Sequence, residues 1–174
     1  DADYSQIELR VLAHIADDRA MQEAFRSGED FHRLTASRVF HVPPEDVTPL
    51  MRRQAKAVNF GIVYGISEFS LAQDIGVSRR EAKEYIERYL TQYPGVRDYM
   101  KKIVETARTQ GYVSTLFGRR RMIPEIRSTN FNIRSGAERI ALNTPVQGTA
   151  ADIMKLAMVR VFRALETNGL RARL

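Results

Sequence analysis

Cysteine is absent from this sequence. That one gap excludes disulfide scaffolds, zinc ribbons and thiol catalysis together, and it is compatible with a reducing cytosol. No apolar run approaches the ~18 residues of a membrane span, and the opening DADYSQIELR does not resemble a secretory leader. Internal repeats, low-complexity tracts and long linkers are missing too, so neither a disordered chain nor a collagen-like polymer fits. What is present is ordinary for a globular protein: 174 residues, 44% hydrophobic and 28% charged, enough for one domain or two small lobes around a core. The 27 Lys and Arg against 21 Asp and Glu give a net charge of +6 and a pI near 9.8. A soluble, intracellular, basic protein is expected. The modest excess points to an anionic partner, nucleic acid or nucleotide, without choosing between them.

The chain starts at Asp1 and is inside a patterned segment by Tyr4. It stops on Leu170, Arg171, Ala172, Arg173, Leu174, an alternation that reads as a strand just beginning. An excised piece of a longer protein is therefore expected, with any site that crosses the cut incomplete.

Between these ends the pattern is mainly helical. Helices are predicted over 7–16, from Asp17-Asp18 to about Phe25, over 30–40, over 49–64 and over 67–75. Ser78-Arg79-Arg80-Glu81 is a capping box for a helix to about Tyr93, which Pro94-Gly95 breaks before another runs over 96–110. Tyr112 to Phe117 reads as a strand, Gly118 as its turn and Met122-Ile123 as a return strand. Two helices over 130–143 and 150–168 follow, separated near Thr144-Pro145. The architecture expected is a compact helical array with strands at its margins.

One segment has a distinct chemical face. Arg52, Lys56, Phe60 and Tyr64 are spaced four apart, so they share one slowly winding stripe of a helix. At ~1.5 Å per residue the stripe is about 18 Å long, and its cations stand roughly 6 to 12 Å from Phe60. That separation matches a nucleotide, with phosphates on Arg and Lys and the base or sugar on Phe. It equally matches an amphipathic helix with solvated cations and with Phe60 and Tyr64 in a core. A second cluster opens the chain, where Asp1, Asp3 and Glu8 lie at the passage from a short strand into a helix. Asp1 and Asp3 would share one side of that strand and suit a hard cation such as Mg²⁺, or one of them caps the helix.

These segments have a family likeness. Asp3-Tyr4-Ser5-Gln6-Ile7-Glu8-Leu9-Arg10, then Arg52-Arg53 with Lys56, Phe60-Gly61 and Tyr64-Gly65, closely resemble the first two polymerase motifs of family A DNA polymerases. Thr115-Leu116-Phe117-Gly118-Arg119-Arg120-Arg121 and Thr144-Pro145-Val146-Gln147-Gly148-Thr149-Ala150-Ala151-Asp152 continue the resemblance, which covers essentially the whole chain. It implies a mainly α protein with a few marginal β-strands (α+β), the fingers subdomain of a right-hand polymerase with part of the palm. Residues 1–16 would be a palm strand and helix, 17–127 the fingers with a basic hairpin near 111–124, and 128–174 return helices toward the palm.

The resemblance also supplies roles. Asp3 matches the metal-binding aspartate for the two Mg²⁺ ions of nucleotidyl transfer, which sets aside the pairing of Asp3 with Asp1. Glu8 matches the residue that rejects a ribose 2′-hydroxyl. Arg52 and Lys56 match the triphosphate-binding cations, and Gln6 and His32 match further contacts to the incoming deoxynucleoside triphosphate. Phe60 matches the position packing on sugar and base, and as Phe rather than Tyr it implies discrimination against dideoxynucleotides. Tyr64 matches the residue that holds the template-base position until the fingers close. Arg139, Asn143 and Gln147 match contacts near the minor groove of the DNA primer-template. Arg119 to Arg121 read equally as a template contact or a solvated basic hairpin. The implied setting is a bacterial, cytoplasmic, nucleoid-associated monomer acting in DNA replication and repair, with no membrane partner.

The family's second catalytic carboxylate lies in a His-Asp-Glu motif, and no His-Asp-Glu occurs in this sequence. The parent is expected to copy DNA while this polypeptide alone does not. Two other readings compete: a non-catalytic nucleic-acid-binding module, and a nucleotide-sugar transferase using Asp1 and Asp3. The second is disfavoured because nothing in the sequence resembles a doubly wound sheet.

Overall fold

The computed structural model describes residues 3–172. Eight helices carry it: α1 (Ile7–Ile15), α2 (Arg19–Arg26), α3 (Phe31–Phe40), α4 (Pro49–Val63), α5 (Glu68–Ile75), α6 (Arg79–Gln92), α7 (Pro94–Gln110) and α8 (Phe131–Thr167). Between α7 and α8 stands one antiparallel hairpin of β1 (Tyr112–Ser114) and β2 (Arg120–Met122), with Val113 opposite Arg121. The described residues contain no other sheet, so the doubly wound sheet a sugar transferase would need is not among them.

Helix starts follow the sequence signals closely. Asp18, Asp30, Thr48, Ser67, Ser78 and Asn130 each accept backbone N–H bonds at an N-terminus, and Ser78 with Glu81 forms the full capping box. Asp18 does more than cap. Its Oδ1 accepts from Met21 N at 3.0 Å, while Oδ2 accepts from Gly95 N at 2.9 Å, so one buried carboxylate closes the N-termini of both α2 and α7. Gly95 has to be glycine here, because a Cβ would come within 2.8 Å of the Ala16 carbonyl and 2.9 Å of Asp18 Cβ.

Several expectations need correction. Pro94-Gly95 does end the preceding helix, since α6 stops at Gln92, but the next helix begins at once rather than at Val96: the pair forms the first turn of α7, where the missing proline N–H costs nothing. The first strand ends at Ser114, because Thr115 to Arg119 close a turn with Gly118 at φ 81, and the return strand starts earlier, at Arg120. Asp3 and Tyr4 are not in a strand, nor are Leu170 to Ala172, while Asp1, Ala2, Arg173 and Leu174 lie outside the described residues. The two helices predicted around Thr144-Pro145 are one, α8, of 37 residues. An interior proline costs about 3 kcal/mol and leaves the Ala141 carbonyl without its helical donor. The helix continues because both flanks are docked: Ala137, Ala141 and Leu142 before the proline, Val146, Thr149 and Ala150 after it, with Pro145 buried between them.

The core lies in two parts. The larger gathers Leu9, Leu12, Met21, Phe31, Val58, Ile62, Leu71, Tyr89, Tyr93 and Val96 from α1 to α7, and Val146 carries it to α8. Full burial of such side chains stabilises by about 1.5–3 kcal/mol each. The smaller joins Ala107, Val113, Ile123, Ile126, Ala137 and Ala141, seating the hairpin between α7 and α8. Replacing Asp18 by Ala should uncap two helices at once and cost about 2–3 kcal/mol, read as a lowered urea midpoint; an unchanged midpoint would contradict the double cap.

Candidate functional site

The stripe on α4 is presented outward. Ala55, Val58, Asn59 and Ile62 bury the opposite face, which leaves Arg52, Lys56 and Tyr64 exposed and Phe60 half-buried at the rim. Thr48 caps this helix and Pro49 opens it, so its cations lie in the first two turns.

Arg52 is not free, as the lack of acids in its own segment would imply. Its Nε donates to Asp30 Oδ2 at 2.6 Å, across the α3–α4 interface. The other oxygen of Asp30 caps α3, accepting from His32 N at 3.0 Å and Arg33 N at 3.2 Å. Burial opposes the charged form of Asp30, but the Arg52 bond and these backbone donors outweigh it and hold the carboxyl below its ordinary value. Both partners are more than a third exposed, so the pair adds well under about 1 kcal/mol of stability. Its consequence is orientation, since the guanidinium is fixed through Nε and keeps Nη1 and Nη2 for another acceptor. Lys56, among the described residues, makes no ion pair.

His32 is neither solvated nor loosely placed. It is 3% exposed, its ring lies 5.9 Å from that of Phe60, and Nδ1 meets Asn59 Nδ2 at 2.9 Å. Asn59 Oδ1 in turn accepts from Thr35 Oγ1 at 3.2 Å, which completes a buried polar chain between the two helices. Burial pushes the His32 pKa down to about 4, against the attraction of Asp30 and with help from the Arg52 and Lys56 charges.

At the other end of the stripe Tyr64 donates to Glu8 Oε2 at 2.7 Å, tying α4 to the first turn of α1. Burial and that carboxylate raise the Tyr64 pKa to about 12. Gly61 and Gly65 permit close packing at this end: Ile66 would stand 2.6 Å from a Cβ on Gly61, and Leu142 2.8 Å from one on Gly65, which sits at φ 65. Through that close approach α8 delivers Arg139 to a cleft of about 340 Å³ shared with Phe60, Gly61 and Tyr64. Asn143 and Gln147 follow Arg139 at four-residue steps, with Asn143 Nδ2 donating to Gln147 Oε1 at 3.3 Å.

With this geometry in hand, the similarities to known proteins are decisive. The description of DNA polymerase family A matches residues 1–174. The chain belongs to that family. It is 61% identical over 173 residues to DNA polymerase I of Geobacillus stearothermophilus and 58% identical over 173 residues to that of Bacillus subtilis. It covers 99% of itself and 20% of each relative, so it spans about a fifth of their length. The POL domain of Pol1 from M. smegmatis, solved in complex with DNA primer-template and dNTP, superposes with a TM-score of 0.93 at 50% identity, over 98% of this chain and 30% of that one.

As a family A chain, it brings together most of the residues singled out by sequence. Arg52 and Lys56 act on His32 as one charged group, Glu8 and Tyr64 form another, and Phe60, Tyr64 and Arg139 line a cleft with Ser70 and Asp74 of α5. Gln6 enters α1 in the left-handed region at φ 58, a conformation a non-glycine residue adopts at a cost. Asp3 lies exposed in the lead-in to α1. In the basic hairpin Arg119 donates to Asp152 Oδ1 and to the Gly148 carbonyl, both at 3.0 Å, while Arg120 lies 4.7 Å from the Tyr112 ring and Arg121 reaches toward Thr144; all three side chains are exposed. Missed by sequence reasoning were Asp30, which reads as a cap alone, and Asn59. An Asn between Val58 and Phe60 in a helix interior is the signal that would have found the latter.

His32 and Tyr64 act in opposite pH ranges. Since folding lowers the His32 pKa from 6.5 to about 4, the unfolded chain takes a proton the folded chain refuses. Its stabilising share is whole above about 6.5 and should be lost as pH falls toward 4. For Tyr64 the raised pKa gives a share that is whole below its ordinary 10.0 and lost as pH rises through about 12. Urea midpoints across both windows check this. Tyr64→Phe should make the alkaline limb shallower without removing it, because Tyr85, Tyr89, Tyr93 and Tyr99 are also shifted upward by burial, and should leave the acid limb unchanged; a flat acid limb in the unsubstituted chain would contradict a buried neutral His32.

Proposed function

We propose that this chain is the nucleotide-gripping fingers region, with adjoining palm elements, of a DNA-directed DNA polymerase. The observation that carries the reading is the α4 stripe, with Arg52 pre-set by Asp30, Lys56 unpaired among the described residues, and Phe60 bordering a cleft one turn further on. A deoxynucleoside triphosphate fits this order of groups. Its phosphate oxygens meet the Arg52 fork and the Lys56 ammonium, and its sugar and base lie against Phe60. Glu8, held by Tyr64, then closes the space beneath the sugar, and Gln6 and His32 complete the surround. Arg139, Asn143 and Gln147 form the face toward a primer-template minor groove, whose acceptors are common to all base pairs.

The chemical step needs more than the described residues supply. Mg²⁺ in nucleotidyl transfer activates the attacking hydroxyl and stabilises the leaving pyrophosphate. Asp3 is the residue to hold it, yet among the described residues no group of three or more His, Asp or Glu converges, and Glu8 is engaged by Tyr64. These residues alone do not fit a two-ion site, so binding and orientation are the tasks assigned to them.

Two outcomes test the reading. The isolated 174-residue chain should give no primer extension with Mg²⁺ and all four deoxynucleotides; turnover that Asp3→Ala abolishes would sink the claim of inactivity. It should nevertheless bind deoxynucleoside triphosphate weakly, with Lys56→Ala losing about tenfold in a calorimetric titration. Equal binding by that variant would remove α4 from the grip.

A further inference from the structure

The buried polar chain between α3 and α4 has a directional property. A neutral imidazole carries one proton, so an Nδ1 that accepts a hydrogen bond leaves that proton on Nε2. Here the amide nitrogen of Asn59 stands 2.9 Å from His32 Nδ1. The other end of the amide faces Thr35 Oγ1, which stands 3.2 Å from Asn59 Oδ1 and 2.9 Å from the Phe31 carbonyl. Asn59 is fully buried, Thr35 is 1% exposed and His32 3%, so water does not scramble the arrangement. Burial also keeps the ring neutral.

On the far side of the ring, no acceptor among the described residues takes the Nε2 proton. A donor held in one orientation beside Arg52 and Lys56 suits the same anion they suit. We propose that Asn59 is a positioning residue, which donates to His32 Nδ1 and so fixes the ring as the Nε2–H tautomer that donates to the bound triphosphate. The inference rests on the nucleotide-gripping reading above and extends it to a residue that touches no nucleotide. It also explains why a helix interior carries Asn at a position where Ala, Leu or Met would serve packing better.

Two substitutions separate this role from packing. N59L keeps the side-chain volume and removes the donor, so the tautomer is no longer fixed. N59D keeps the shape and places an acceptor against Nδ1, which draws a second proton onto the ring but leaves Nε2–H in place. If Asn59 acts through the tautomer, N59L should weaken binding of inorganic tripolyphosphate by about tenfold, while N59D stays within about twofold of the parent chain. A packing role predicts the reverse order, with Leu tolerated and the buried carboxylate not.

Long-range proton–nitrogen spectra of the parent chain should show His32 protonated at Nε2 alone, a readout that needs no variant to fold. The N59L loss should vanish in an H32A background. A parent spectrum with the proton on Nδ1 would overturn the proposal. That result would mean that Thr35 gives its hydroxyl proton to the Phe31 carbonyl, 2.9 Å away, and that the amide is reversed. An N59L loss that persists without His32 would overturn it as well. A parent chain that shows the Nε2–H tautomer but binds no tripolyphosphate would instead bring down the nucleotide grip, and with it the use proposed for this proton.

Discussion

The pairing of α3 with α4 is the constraint on which the site depends. Its centre is polar as well as apolar: Thr35, Asn59 and His32 are all buried and satisfy one another across the interface. An unmet buried donor or acceptor costs about 1–3 kcal/mol, so sliding α4 by one turn would strand several groups at once. Apolar contacts alone tolerate such slips far better. The register fixed this way sets where Arg52 meets Asp30 at one end and where Phe60 meets the His32 ring in the middle. Side chains that contact solvent thus take their positions from side chains that do not.

The second face of the site depends on α8 staying continuous through Pro145. Had the helix broken there, Arg139 and Gln147 would have pointed in unrelated directions instead of sharing one stripe with Asn143. Docking on both sides of the proline prevents this. The hairpin strengthens the far flank, with Leu116 N donating to Thr149 Oγ1 and Arg119 reaching Asp152 and the Gly148 carbonyl. Gly148 allows that approach, since a Cβ there would stand 2.6 Å from Thr115 Cγ2. Arg119 is thereby tied to α8 while its side chain stays exposed, beside the equally exposed Arg120 and Arg121.

Helix positions, caps and the α4 stripe were legible in the sequence because each rests on local rules: 3.6-residue periodicity, Ser, Thr, Asp or Asn at N-caps, Gly after C-termini. The errors arose where tertiary packing overrides local preference. Pro145 is a breaker by propensity and a core residue by docking, and Pro94-Gly95, which does stop α6, also begins α7 against Asp18. The site divided along the same line. Motif spacing identified Arg52, Lys56, Phe60 and Tyr64, whereas the carboxylates that hold Arg52 and Tyr64 sit 22 and 56 residues away. Periodicity on one element carries no information about which residue of another element will face it.

The pairing of Arg52 with Asp30 also bears on selectivity among anions. A guanidinium whose charge is already balanced by a carboxylate attracts a lone monoanion weakly, and at physiological salt that attraction is screened within about 8 Å. Lys56 stands one helical turn on, about 6 Å along the axis. An anion that bridges the two engages both cations within one screening length, and one that reaches Arg52 alone must share it with Asp30. On the nucleotide-gripping reading proposed above, the arrangement would favour a ligand with several linked negative groups over single ions at equal concentration. It does so with a net protein charge of only +6, because the selection comes from the spacing of two cations and the placement of one counter-ion rather than from overall charge.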